Sequence, residues 1–70
     1  MANASESTPT ILRRRQVEAR TGLSRSTLYL KIAEGQFPKP IRLGARAVGW
    51  IESEISAWLA SRIAASRKAA

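Results

Sequence analysis

Between Ser24 and Gly35 the chain reads SRSTLYLKIAEG, and its polar residues are of the kinds that contact nucleic acid. Hydroxyls such as those of Ser26 and Thr27 can bond phosphate oxygens or base edges, and Arg25 and Lys31 can neutralise phosphate or read guanine. Tyr29 can donate its hydroxyl to a phosphate, or its ring can simply flank a core. Lys39, Arg42 and Arg46 follow within a short distance. Arg42 and Arg46 can reach a minor groove, whose narrow A·T tracts draw arginine by their negative potential. Alternatively they keep a strand edge charged, which discourages aggregation. Arg13, Arg14 and Arg15 form a local run, which reads as a solvated charge run. Trp50 and Trp58 are of the type that stacks on single-stranded bases, but their positions read as core.

Catalytic chemistry is poorly provided for. With no histidine and no cysteine among 70 residues, Ser-His and Cys-His nucleophiles cannot be built. The thiolate and imidazole ligands of zinc are missing too. A metal-dependent nuclease needs converging carboxylates. The five glutamates are scattered, however, and Glu52 and Glu54, two apart, diverge on a helix. No glycine-rich phosphate loop is present. An enzyme, a bound metal, a cofactor and a small-molecule ligand are therefore not expected.

Charge points to the class of partner. Twelve Lys and Arg against five acidic residues give a net charge of +7, an excess that favours a polyanion, nucleic acid first and an acidic membrane surface second. No stretch approaches the roughly 18 apolar residues of a membrane span. The start, MANASESTPT, lacks the basic and apolar regions of a secretory signal. The expected location is the cytoplasm, on the nucleoid. The length allows one small domain, held by apolar packing, since 44% of residues are hydrophobic and no disulfide is possible.

The elements that must position these residues can be followed along the chain. Residues 1–9 read as a disordered leader. A short strand is expected within 10–13 and a short helix within 15–21, with Val17 inward and Gly22 as a left-handed terminator. Ser24 then caps a second helix, with Leu23 and Leu28 placed as a hydrophobic staple. Leu28 and Ile32 share one face of it. At about 100° per residue, Ser26, Leu30 and Ala33 point away, while Arg25, Tyr29 and Lys31 take the flanks and Thr27 sits beyond Lys31. Two short helices joined by T-G-L-S are a helix-turn-helix signature, whose second helix enters the DNA major groove. Pro38 and Pro40 end the helical run. IRLGARAVGWI then alternates as a two-stranded hairpin, with Leu43 opposite Val48, Ile41 opposite Trp50 and residues 44–47 as the tip. Such a hairpin after a helix-turn-helix is a wing. A last helix is expected over residues 53–65, where Ile55, Trp58, Leu59 and Ile63 recur at helical spacing, followed by a fraying tail at 66–70.

TGLSRSTLY, EGQFPKPIRLGARAVGW and ESEISAWLASRI together closely resemble the AlpA family of prophage regulatory proteins. The likeness covers nearly all of the ordered chain, and the run from Phe37 to Trp50 is its most specific part. It implies a winged helix-turn-helix of the MerR and excisionase type. It also implies a bacterial, phage-linked transcription factor acting on integrase or excision genes, or an excisionase-like architectural role. By position it implies a recognition helix at 24–34, a wing at 41–50, and Arg25, Ser26, Thr27, Tyr29, Lys31, Lys39, Arg42 and Arg46 as the DNA-facing residues. Two departures stand out. Leu30 occupies a position after the tyrosine that is often basic, which points to contact with a thymine methyl. Arg14 replaces an apolar residue before the first helix, which points to a loosely packed N-terminal strand.

The expected architecture is thus mostly α with a small β-hairpin, a winged helix-turn-helix over residues 10–65. Its expected core is Leu23, Leu28, Ile32, Phe37, Ile41, Leu43, Val48, Trp50, Ile55, Trp58, Leu59 and Ile63. The expected function is sequence-specific binding of double-stranded DNA in prophage or integrative-element control, without a cofactor. One small domain offers few contacts, so occupancy calls for repeated sites, self-association or an integrase. RNA or ribosome binding is the competing class and predicts aromatics on an exposed sheet. A protein-interaction module with incidental charge predicts little salt-dependent DNA binding.

Overall fold

The computed structural model describes residues 9–69. The expected leader lies, apart from Pro9, outside the described residues. The element order is β1 (Ile11–Leu12), α1 (Arg14–Thr21), α2 (Arg25–Ala33), β2 (Ile41–Gly44), β3 (Ala47–Ile51) and α3 (Glu52–Ala69). Three helices and a small antiparallel sheet make a winged helix-turn-helix.

Local chemistry sets the helix limits. Gly22, at φ 76°, ends α1, and its N–H donates to the Glu18 carbonyl at 2.7 Å. Ser24 caps α2 by accepting the Thr27 N–H at 3.3 Å. Past the other end of α2, Gly35 sits at φ 74° and lets the Gln36 N–H reach the Lys31 carbonyl at 2.8 Å. α3 carries Glu52 and Glu54 in its first turn and Arg67 and Lys68 in its last, matching the helix dipole. It runs beyond residue 65 to Ala69, through alanine-rich sequence of high helix propensity.

The sheet is where the structure departs from expectation. It has three strands in the order β1-β3-β2, because Ile11 pairs with Ile51 and Leu12 with Trp50. Leu12 is buried in the core, so β1 is packed, not loose; the apolar pair Ile11-Leu12 supplies the packing that Arg14 does not. On the other side Ile41 pairs with Gly49, Arg42 with Val48 and Gly44 with Ala47, with an irregularity between Arg42 and Gly44. The expected pairs Leu43–Val48 and Ile41–Trp50 are not formed. Directly opposed residues share a face, so Ile41 lies on the side of Gly49, away from Trp50. Leu43 closes over Gly49 on that same side.

The core is Leu12, Val17, Leu28, Phe37, Trp50 and Ile55, with Leu23, Ile32, Trp58 and Leu59 packed against it. Ile41, Leu43, Val48 and Ile63, expected inside, are exposed. The first two were misplaced by the register. Val48 shares the Trp50 face but lies beyond the core's edge, and Ile63 lies on the part of α3 that extends past the body, where residues 60–68 are all exposed. Both indoles are structural. Trp50 Nε1 donates to the Pro38 carbonyl at 3.0 Å and Trp58 Nε1 to the Gln36 carbonyl at 2.8 Å. The Phe37 and Trp58 rings meet edge to face at 4.7 Å. The loop between α2 and the wing is thereby pinned to the core, which fixes where the wing starts.

Candidate nucleic-acid interface

Burial of Leu28 orients α2. With Leu28 fully buried and Ile32 packed beside it, Arg25, Ser26, Tyr29 and Leu30 are turned outward, Leu30 being 57% exposed. Thr27 is half-buried, and its side chain joins the cap: Ser24 Oγ donates to Thr27 Oγ1 at 3.0 Å and lies 3.5 Å from Ser26 Oγ. These hydroxyls form a polar cluster at the start of α2, where the helix dipole is positive. Lys31 is half-buried on the flank.

The wing is short and cationic. Its two-residue turn, Ala45-Arg46, leaves Arg42 and Arg46 exposed. Arg42 Nη1 reaches back to the Ala45 carbonyl at 3.5 Å, the limit of a hydrogen bond. Arg13 ties the wing to the body by donating from Nε to the Val48 carbonyl at 3.1 Å. Another tie joins α1 to α3, where Arg20 bonds Glu52 at 3.2 Å and Ser56 at 3.1 Å. The Ser56 hydroxyl, which donates to Glu52 at 2.9 Å, and then Arg20 hold the Glu52 carboxyl below its ordinary value of 4.5.

The structure brings some of the expected residues together and leaves others apart. Tyr29 from α2 and Arg46 from the wing line one cleft, and with them stand Arg13, Arg14, Arg15 and Val48. The arginine run, read from the sequence as merely solvated, therefore belongs to the same surface. Its only sequence signal was adjacency, because the fold alone sets it beside Tyr29. Arg25, Ser26 and Thr27 cluster at the α2 N-terminus. Lys39 stands apart, in a separate apolar groove lined by Phe37, Pro38, Pro40, Ile41 and Trp58, with Glu54 beside it. Among the described residues only two ion pairs form, Arg14–Glu18 at 2.6 Å and Arg20–Glu52. Most of the positive charge is thus without an ion-pair partner among the described residues.

No three carboxylates converge among the described residues. No described helix is long and apolar enough to cross a membrane. Trp50 is fully buried, so the sheet offers no exposed tryptophan platform of the kind RNA-binding sheets present.

A protein of Enterobacteria phage P4, "Uncharacterized protein ORF88", is 49% identical over 47 residues, covering 67% of this chain and 53% of that protein. The DNA-binding transcriptional activator AlpA of Escherichia coli (strain K12) is 41% identical over 58 residues, covering 74% of this chain and 83% of that protein. The chain thus spans about half the length of the phage P4 relative and most of the other. The family model of the prophage CP4-57 regulatory protein (AlpA) matches residues 10–63. With that match over most of its length, the chain belongs to the AlpA family of prophage regulatory proteins.

Proposed function

We propose that this chain is a sequence-specific double-stranded DNA-binding regulator of prophage or integrative-element genes, working in the cytoplasm on the nucleoid. The observation that carries the reading is the division of α2. Leu28 is locked into the core, and Arg25, Ser26, Tyr29 and Leu30 are presented to solvent, beside a wing that adds Arg42 and Arg46. In this reading α2 lies in a major groove. Arg25 and Ser26, with the Thr27 hydroxyl behind them, contact base edges and phosphates, and Leu30 packs on a thymine methyl. Lys31 and Lys39 contribute longer-range attraction. The wing follows the backbone toward the adjacent minor groove, and Arg42 and Arg46 are its contacts. The DNA-binding unit is residues 10–65. Occupancy is strengthened by repeated sites, by self-association or by an integrase bound alongside. Membership of the AlpA family, and a relative named as a DNA-binding transcriptional activator, support the same class.

The test is a change of preference, not only of affinity. Ser26→Ala, Thr27→Ala and Lys31→Ala combined should alter which duplex is preferred in a competition assay among related sites. Losing one good base contact is worth about 1–3 kcal/mol of discrimination. An unchanged ranking of sites would count against recognition by α2.

A further inference from the structure

The run Arg13-Arg14-Arg15 has no part in the reading above, yet the fold makes it one wall of a cleft whose other walls are Tyr29, Arg46 and Val48. The four arginines are not equivalent. Arg14 is neutralised by Glu18 at 2.6 Å. Arg13 spends its Nε on the Val48 carbonyl. Arg15 and Arg46 are exposed, and no hydrogen bond or ion pair to the described residues engages either side chain. No carboxylate lines the cleft. Two unpartnered guanidinium groups from separate elements, Arg15 and Arg46, therefore share one cleft, and the Tyr29 hydroxyl adds a neutral donor. A concave site with forked cationic donors and no acid suits an oxyanion bearing several acceptor oxygens, which is phosphate chemistry.

We infer that this cleft seats one backbone phosphate of the bound duplex, held jointly by Arg15 and Arg46 with the Tyr29 hydroxyl as a further donor. The inference rests on duplex DNA binding as proposed above. What selects a backbone phosphate over a free one is position: the cleft opens between α2 and the wing, where the strand separating the two grooves would pass. Val48 and the Tyr29 ring supply an apolar wall for a sugar. Arg13 is a positioning residue here, holding β3, and through it the wing, against the start of α1. The arginine run is then the fixed jaw of a clamp whose other jaw is the wing tip.

Sharing is what makes the inference testable. Each phosphate neutralised contributes about −0.9 to the slope of log affinity against log salt. Arg15→Ala and Arg46→Ala should each weaken binding, by about five- to tenfold, equally on preferred and unrelated duplexes. The double variant should flatten the salt slope by about 0.9, one phosphate's worth, and not by about 1.8. Arg15→Lys should restore most of the slope. In a parallel titration, the side-chain Nε resonances of Arg15 and Arg46 should shift together on adding duplex. Inorganic phosphate should move them only at far higher concentration. An Arg15→Ala protein that binds as the parent does, a double variant that loses about 1.8, or saturation by inorganic phosphate alone would each overturn the inference while leaving α2 recognition standing. A parent chain that binds no duplex would overturn both.

Discussion

Replacing Gly49 by alanine is a severe test of the sheet that carries the wing. Gly49 is buried in β3 on the face away from Trp50. A methyl added there would lie 2.5 Å from Ile11 Cγ2, 3.0 Å from Leu43 Cδ1 and 3.1 Å from the Leu12 carbonyl oxygen. The contact with Leu43 is relieved at little cost, because that side chain is 43% exposed and its end can swing outward. Ile11 cannot yield in the same way. It is β-branched and stiff at χ1, and both its backbone and the Leu12 carbonyl are fixed by β1–β3 pairing. Overpacking of this kind costs about 1–3 kcal/mol, and reduced freedom of the unfolded chain returns about 0.4–1 kcal/mol. A net loss of about 1–2 kcal/mol follows. In urea unfolding followed by tryptophan fluorescence, with a slope near 1 kcal/mol per molar for so small a chain, the midpoint should fall by about 1–2 M. Ile11→Ala removes the clashing methyl, so Gly49→Ala combined with Ile11→Ala should lose less than the sum of the single variants. A parent-like midpoint for Gly49→Ala, or strict additivity in the pair, would refute the contact and with it the register that sets Ile11 opposite Ile51.

Two further outcomes concern the supports of the interface. Ser24→Ala removes the acceptor for the Thr27 N–H and the partner of the Thr27 hydroxyl. The loss should be about 1 kcal/mol, seen as a melting temperature lowered by about 4–8 °C, with Ser24→Asp restoring it. Ser56 and Arg20 depress the folded-state pKa of Glu52 below 4.5, so this carboxylate adds stability above that pH and loses it as pH falls through the folded value. Glu52→Gln should therefore unfold at lower urea than the parent at neutral pH, and the two should converge on acidification. A gap that persisted in acid would show that packing, not charge, is responsible.

The helical half of the fold is legible in the sequence because its signals are local. Ser24 at the cap, Leu28 and Ile32 on one face, and glycines at 22 and 35 fix α2 without help from the rest of the chain. The wing is legible as an element but not in its register. Ile41, Leu43, Val48 and Trp50 alternate as if on one face, and only pairing of Leu12 with Trp50, the irregularity near Leu43 and the gap left by Gly49 decide otherwise. Those are contacts between distant residues, and a single strand's alternation cannot register a bulge in its partner. The same holds for the proposed interface. Arg25, Ser26 and Tyr29 are recognisable from their place on a capped helix. Arg13 to Arg15 are not, because what distinguishes them from a solvated run is a neighbour at position 29 and another at position 46.

Whether α2 and the wing read duplex DNA is decided by selecting binding sites from a random duplex library at two salt concentrations. A defined motif should emerge and, with about five cations meeting phosphates, a log–log salt slope of about −4 to −5. Strong salt dependence with no motif would contradict sequence reading by α2, and binding indifferent to salt, or no binding at all, would contradict the interface altogether.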